Sequence, residues 1–88
     1  MRANDSLGQE LFVGDVVATT VPATSYSTRN RVMPARVVRI WESKPSHGGK
    51  TYPRVTLEAK GRSKMGVDPT EKCLEMEGFD YDAYLADI

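Results

Sequence analysis

"ARVVRIWESKPSHGGKTYPRVTLEAK", residues 35–60, decides the fold of this chain. Both ends of the stretch are rich in apolar and β-branched residues, and its middle, residues 43–50, holds a proline and two adjacent glycines. Two such segments joined by turn-forming residues predict a β-hairpin. In the second segment Val55, Leu57 and Ala59 alternate with polar residues, which predicts a strand with one buried and one wet side.

The segments on either side of the hairpin continue the β pattern. Residues 11–21 are β-branched around a Gly-Asp pair, which indicates a bulge or sharp bend. Residues 19–31 are polar and predict a long loop. Pro34 cannot donate a ladder hydrogen bond, so we expect strand pairing to begin after it. Residues 65–67 and 73–77 predict two more short strands, separated by one tight helical turn.

Five short strands, regular turns and no helix of ordinary length favour an all-β fold. We expect a small five-stranded antiparallel barrel, closed or partly open. With 88 residues the chain forms one domain. We divide it into an N-terminal arm (residues 1–9), the barrel (residues 10–77) and an acidic aromatic C-terminal tail (residues 78–88). Apolar residues in the tail recur at a spacing compatible with one short helix.

The charge of the chain is unevenly distributed although its total is zero. Residues 28–65 carry ten basic residues against two acids, a net charge of +8. Residues 1–27 carry one basic residue and three acids, a net charge of −2. Residues 66–88 carry one basic residue and seven acids, a net charge of −6. Such asymmetry indicates association with a charged partner rather than a particular fold. A second interpretation is that the basic and acidic parts face each other in the folded chain.

Little in the sequence supports catalysis or a metal site. His47 is the only histidine, and it lies in the predicted turn without a neighbouring group that would fix it as a base. One histidine and one cysteine cannot supply the four ligands of a structural zinc site. We expect Cys73 to be a small buried residue. The sequence therefore predicts no enzymatic activity, no cofactor and no metal.

The sequence also gives an expectation for location. No apolar run is long enough to span a bilayer, and the N-terminus lacks the apolar stretch of a secretion signal. A single cysteine fits a reducing compartment. These features predict a cytoplasmic protein without membrane association.

Nucleic acid is the partner that the basic middle of the chain predicts best. Cations on neighbouring strands and their loops can reach successive phosphates, which gives sequence-independent, salt-sensitive binding. Aromatic rings beside such cations can stack on bases, although Trp41 and Tyr52 also fit an interior position. Without a long helix to enter the major groove, we do not expect base-specific reading. The candidate nucleic-acid-binding residues are Arg29, Arg31, Arg36, Arg39, Lys44, Lys50, Tyr52, Arg54, Lys60, Arg62 and Lys64.

The C-terminal tail alternates acids with apolar residues and has three interpretations. It can pack back on the barrel, dock into the groove of a partner, or cover the basic surface of its own chain. Its candidate partner-binding residues are Phe79, Tyr81, Tyr84 and Leu85.

The order of these features resembles that of small Src-homology-3-like barrels, including the KOW and Tudor types. "LFVGDVV", residues 11–17, is similar to their opening strand, and "GVDPTEKCLEM", residues 66–76, to their ending. The resemblance covers about residues 10–77, and the chain looks most like uncharacterised small proteins of tailed bacteriophages. KOW and Tudor domains contact nucleic acids or nucleic-acid machinery, so the resemblance implies a barrel with such a role, in the host cytoplasm if the chain is phage-encoded.

The chain departs from the peptide-binding members of that fold. Those use an acidic loop and an aromatic-lined groove, whereas the corresponding loop here is basic at Arg29 and Arg31. The first hypothesis is therefore a non-enzymatic nucleic-acid-binding barrel that modulates host or viral nucleic-acid processes. The alternative is an interaction module that binds a host or viral protein, such as transcription machinery, through the tail or the long loop. A structural component of a virion is a third class.

Overall fold

The computed structural model describes residues 2–22, 30–44 and 48–86. Within these ranges the chain is predominantly β, with seven strands and two short helices. The strands are β1 (Ala3–Asn4), β2 (Glu10–Leu11), β3 (Val16–Pro22), β4 (Asn30–Ser43), β5 (Tyr52–Ala59), β6 (Met65–Val67) and β7 (Leu74–Glu75); the helices are α1 (Pro69–Lys72) and α2 (Tyr81–Ala86).

Five of the strands form one antiparallel sheet in the order β6-β5-β4-β3-β7. This confirms the prediction of a predominantly β chain built on a five-stranded antiparallel sheet. β1 and β2 pair with each other in a separate small sheet. Within the described ranges β6 and β7 are the edges of the large sheet and are not paired with one another.

The long strand β4 connects the two halves of the sheet. Residues 30–36 pair with β3, and residues 35–43 pair with β5. Within β4, only Ala35 and Arg36 therefore pair with a strand on both sides. This staggered arrangement places the β4–β5 connection and the β3–β4 connection at opposite ends of β4.

Strand pairing begins at Asn30, so the prediction that it begins after Pro34 was wrong. The N–H of Val37 donates to the carbonyl of Asp15 on the β3 side, at 2.8 Å. Because alternate residues direct their N–H groups to opposite sides, the nitrogen of Pro34 points away from β3. Pairing with β5 starts only at Ala35, so Pro34 removes no ladder hydrogen bond.

A β-bulge interrupts β4 in its middle. Val37 lies opposite Leu57, and Arg39 lies opposite Thr56, the next residue back along β5. Val38 is therefore an extra residue without a partner of its own. A bulge of this kind re-aims the side chains that follow it.

The bulge reverses the alternation of β4. Before it, Ala35 and Val37 are fully buried; after it, Ile40 packs against the core. Arg39 and Trp41 consequently lie on the outer face of the sheet. In an unbroken strand Trp41 would share the inner face with Val37, so the interior position considered for this ring from the sequence is not the one it takes.

The hydrophobic core lies on the inner face of the sheet, under the N-terminal segment. Burying an aliphatic side chain such as those of its valines and leucines stabilises the fold by about 1.5–3 kcal/mol each. The N-terminal segment, residues 1–9, contributes directly to this interior through Ala3. The core members are Ala3, Leu11, Val17, Ala35, Val37, Val55, Leu57, Ala59 and Cys73.

The carboxylate of Asp5, only 2% exposed, fastens the N-terminal segment to the last strand. Its Oδ1 accepts hydrogen bonds from the N–H groups of Leu7 (3.0 Å) and Gln9 (2.8 Å), and its Oδ2 accepts one from the N–H of Glu75 (2.9 Å). Burial acts to raise the pKa of Asp5, but the backbone N–H donors together outweigh it and hold that pKa below its usual value. The charged form is therefore the one that the fold stabilises.

No helix in the described part of the chain is long and apolar enough to cross a membrane.

Candidate nucleic-acid interface

The outer face of β4 and β5 carries cations and aromatic rings in register. Trp41 lies opposite Arg54, so the two side chains leave the sheet together. Arg39 and Tyr52 share that face because each lies two residues from a member of this pair. The bulge is what brings Arg39 to the same side as Arg36, since residues three apart in a regular strand point to opposite faces.

The indole of Trp41 extends across β5 toward β6. Its Nε1 donates a hydrogen bond to Oγ1 of Thr56 at 3.0 Å. A Cβ added to Gly66 of β6 would lie 3.4 Å from Cζ2 of the indole. The missing side chain at Gly66 thus leaves room for the ring, which is half-buried on the surface of the sheet.

Guanidinium groups lie over the rings of both Trp41 and Tyr52. The Cζ atoms of Arg39 and Arg54 are each 5.8 Å from the Trp41 ring centroid, and that of Arg54 is also 6.0 Å from the Tyr52 centroid. Nη2 of Arg54 donates to the carbonyl of Gly66 at 3.0 Å, which holds the guanidinium close to both rings. Each such contact contributes about 0.5–1 kcal/mol at an exposed site. We call Arg39, Trp41, Tyr52 and Arg54 the open cluster.

Tyr52 forms the edge of the open cluster nearest the β4–β5 connection, and it is 43% exposed. A hydrogen bond with the Ser43 side chain, and a second with Arg54, lower the pKa of its phenol from the usual value. Ser43 lies directly opposite Tyr52 in the ladder. The ring is therefore held in place while much of its surface stays open to solvent.

The other end of the outer face is covered by α2. Oδ1 of Asp82 accepts a 2.9 Å hydrogen bond from Nη2 of Arg36, and the Cζ of Arg36 lies 4.7 Å from the Tyr81 ring centroid. Tyr81 is 3% exposed, and its hydroxyl donates to the carbonyl of Glu58 at 2.8 Å. The tail therefore packs on the sheet, and in doing so it engages part of the basic surface.

The tail also engages Lys60. Its Nζ donates to the carbonyl of Tyr84 at 3.2 Å and lies 5.1 Å from the centroid of the Tyr84 ring. The Phe79 ring lies 5.9 Å from the Tyr84 ring. Of the candidate partner-binding residues, Tyr81 is buried, Phe79 and Tyr84 are half-buried, and Leu85 is 37% exposed. Most of their surface is thus directed toward the chain itself.

Four further predicted cations lie in connections between strands. Lys44 and Lys50 are exposed on the β4–β5 connection, beyond the Tyr52 end of the open cluster. Arg62 and Lys64 lie in the β5–β6 connection at the opposite end of β5, where a groove of about 510 Å³ separates Arg62 and its neighbours from α2. Only the first pair extends the open cluster.

Arg31 is separated from the other candidates. It is exposed and lies opposite the buried Val21, so the register assigns it to the inner face, at the far end of β4. Arg29 and His47 lie outside the described residues. The described candidate cations therefore form an open set, a set engaged by the tail, a pair in the β5–β6 connection (Arg62 and Lys64) and an isolated member, Arg31.

The sequence raises Trp41 as a possible stacking ring without selecting it as a site residue, and it gives no role to Thr56 or Gly66. The available signal is the pattern "ARVVRIW", in which two adjacent valines separate Arg36 from Arg39. A doubled apolar position inside an alternating strand is the mark that a bulge leaves in a sequence. Read in that way, the pattern puts both arginines and the tryptophan on one face.

The described residues do not include a metal-binding cluster or a reactive thiolate. Among them there is no group of three or more His, Cys, Asp or Glu side chains that could hold a metal ion. Cys73 is 1% exposed, which confirms the prediction of a small buried residue. Burial, reinforced by Asp5 and Asp68, raises the pKa of its thiol to about 12, so Cys73 is not a thiolate near neutral pH.

No protein-family model, curated protein or solved structure matches this chain. We therefore infer its function from the geometry of the outer face.

Proposed function

We propose that this chain is a non-enzymatic module that binds nucleic acid through the open cluster. The observation that carries the proposal is that Arg39 and Arg54 flank Trp41 at 5.8 Å on the half of the outer face that α2 leaves uncovered. Planar guanidinium groups suit phosphate oxygens because they present paired donors in a fixed geometry.

The local charge of this surface supports the proposal even though the whole chain is neutral. The outward positions of β4 and β5 in three successive rows, from Arg39 and Thr56 to Ser43 and Tyr52, carry no acid, and the acid that acts electrostatically on Tyr52 is Asp68, after β6. Lys44 and Lys50 add exposed positive charge just beyond them. A polyanion responds to such a local concentration of charge rather than to the net charge of the protein. Binding of this kind is sequence-independent and weakens steeply with salt.

The architecture supports the same proposal at the level of fold. A five-stranded antiparallel sheet with one helical turn, α1, directly before the last strand agrees with the resemblance to Src-homology-3-like barrels. We extend the proposal to a small barrel of that type, acting in the cytoplasm as a modulator of host or viral nucleic-acid processes. The alternative is a module that binds a host or viral protein through its tail or its long loop. Binding through the tail has less support because Tyr81 and Tyr84 are engaged by other residues of the chain.

A salt titration with a matched pair of variants tests the proposal. A fluorescently labelled duplex is titrated with protein at about 50 and 200 mM salt; each phosphate contact contributes about −0.9 to the log-log slope. Arg39→Gln should weaken binding and make the slope shallower by about one contact. Arg31→Gln removes the same charge from an exposed site away from the open cluster and should leave both quantities close to wild type.

Two outcomes would overturn this proposal. The first is an absence of binding to duplex and single strand alike at the lower salt concentration. The second is an equal effect of Arg31→Gln and Arg39→Gln, because equal effects would mean that general charge, and not the open cluster, attracts the nucleic acid.

A further inference from the structure

The open cluster combines guanidinium groups, which suit phosphate oxygens, with the surfaces of two aromatic rings. An intact duplex presents phosphates to the guanidinium groups but no exposed base face to the rings. The faces of paired bases are stacked on one another inside the helix, whereas unpaired bases can stack on protein aromatic rings. Trp41 and Tyr52 both lie partly exposed among guanidinium groups. We propose that the ligand of the open cluster is single-stranded nucleic acid whose bases stack on Trp41 and Tyr52; this inference rests on the proposed function.

The position of Trp41 supports stacking more than a structural role. The bulge at Val38 moves the ring out of the core and onto the outer face of the sheet, where it is half-buried and keeps part of its surface open to solvent. The hydrogen bond from Nε1 to Thr56 satisfies its only polar atom. The indole therefore has a fixed orientation before a ligand arrives, which lowers the entropy lost on binding.

Two positions beside the ring carry little or no side chain. Gly66 contributes no side chain beside the indole, and the neighbouring outward residue of β5, Thr56, is small. The covering helix α2 lies at the Arg36 end of the face and does not include the open cluster among its hydrogen-bond partners in the described residues. From Arg39 to Ser43 this open stretch of β4 is about 13 Å long, a length that suits a short run of nucleotides.

The arrangement of cations fits a single strand as well. The guanidinium of Arg54 is within 6.0 Å of both ring centroids, and that of Arg39 is 5.8 Å from the Trp41 centroid. Each ring therefore has a guanidinium group beside it, as each base of a single strand has a phosphate beside it. Stacking tolerates any base, so we expect a preference for single strands without a strong preference for sequence.

The test compares one labelled oligonucleotide in two forms. Labelled oligo(dT) is titrated alone and as its duplex with oligo(dA), at about 50 mM salt, where phosphate contacts are strong. The single strand should bind more tightly than the duplex. Trp41 is the only tryptophan of the chain, so unlabelled oligo(dT) should quench the protein's tryptophan emission, and the duplex should not.

Variants separate stacking from folding. Trp41→Ala should weaken binding of oligo(dT) about tenfold with little effect on the duplex, and Tyr52→Ala should act in the same direction. Trp41→Phe keeps an aromatic ring and should retain much of the affinity. Phe12→Ala is the matched control, because Phe12 is an aromatic residue with 58% exposure that is not part of the open cluster.

The outcomes distinguish this inference from the proposed function. Equal binding of single strand and duplex, without quenching, would overturn the inference and leave phosphate binding intact. An equal loss for both forms in Trp41→Ala, with no effect of Tyr52→Ala, would also overturn it, because the ring would then act only through the fold. No binding of either form would overturn the proposed function itself.

Discussion

The indole of Trp41 and the backbone of Gly66 approach each other across β5 so closely that a Cβ on Gly66 would lie 3.4 Å from Cζ2 of the ring. That distance is an ordinary van der Waals contact for one methyl group and leaves no room for more. Gly66 is not among the glycines with positive φ, so its backbone accepts other residues. Size alone therefore decides which substitutions at this position displace the ring.

We expect Gly66→Ala to leave the indole in place and Gly66→Val to displace it. Valine is favoured in strands, so Gly66→Val should still fold, and the change should appear as a shift of tryptophan emission and a weaker affinity for oligo(dT). The measurement is emission spectra and binding of both variants side by side. An unchanged spectrum and affinity in Gly66→Val would show that the ring does not depend on this gap.

The contact between Asp82 and Arg36 predicts that the tail limits nucleic-acid binding. Asp82→Asn should free Arg36 and tighten binding at low salt by about threefold, the scale of an exposed ion pair. Glu77→Gln removes the same charge from an exposed residue near the tail and serves as the control. Equal tightening in both variants would indicate a general charge effect. Fluorescence titrations of the two variants at matched salt give the comparison.

Asp5 should be a major contributor to stability although it lies outside the proposed interface. Asp5→Ala leaves three backbone N–H groups without their acceptor in a buried setting, which should reduce the free energy of unfolding by about 3 kcal/mol. Glu10→Gln is the control, because the Glu10–Arg2 pair is long, at 3.9 Å, and partly exposed. Urea denaturation of the two variants measures the difference. A loss below about 1 kcal/mol in Asp5→Ala would contradict this role.

The same carboxylate predicts how stability depends on pH. Its pKa is lower in the folded chain than the usual 3.8, so its contribution is complete above that value and is lost as the pH falls through the lowered folded pKa. The stability difference between wild type and Asp5→Ala should therefore shrink in acid. Denaturation curves of both proteins from neutral to acidic pH test this. A difference that stays constant would mean that the Asp5 pKa is not lowered.

Cys73 should resist thiol reagents in the native state. Burial raises its pKa to about 12, so at about pH 8 almost none of it is thiolate, and access to it requires opening of the core. Labelling with an aromatic disulfide reagent should follow the rate of unfolding and accelerate in urea. Rapid labelling of the folded protein would show that the region around Cys73 opens locally.

Sequence periodicity by itself determined much of the fold. Alternation in residues 52–59 gave the buried set Val55, Leu57 and Ala59, all of which are 3% exposed or less. The helical turn at residues 69–72 begins after Asp68, whose side chain accepts from the N–H of Thr70 as a cap. These features depend on neighbouring residues, and neighbouring residues are what a sequence pattern records. The clustering of cations in residues 28–65 was visible in the same way.

Tertiary structure alone decided which of those cations share a face. The N–H of Gly14 donates to the carbonyl of Val37, and the N–H of Val37 donates to the carbonyl of Asp15, both at 2.8 Å. A turn some twenty residues away in sequence thus occupies the backbone of β4 where the bulge begins. The bulge then turns Arg39 and Trp41 outward, and the tail engages Arg36 and Lys60. Contacts between distant segments set these outcomes, and local periodicity carries no record of them.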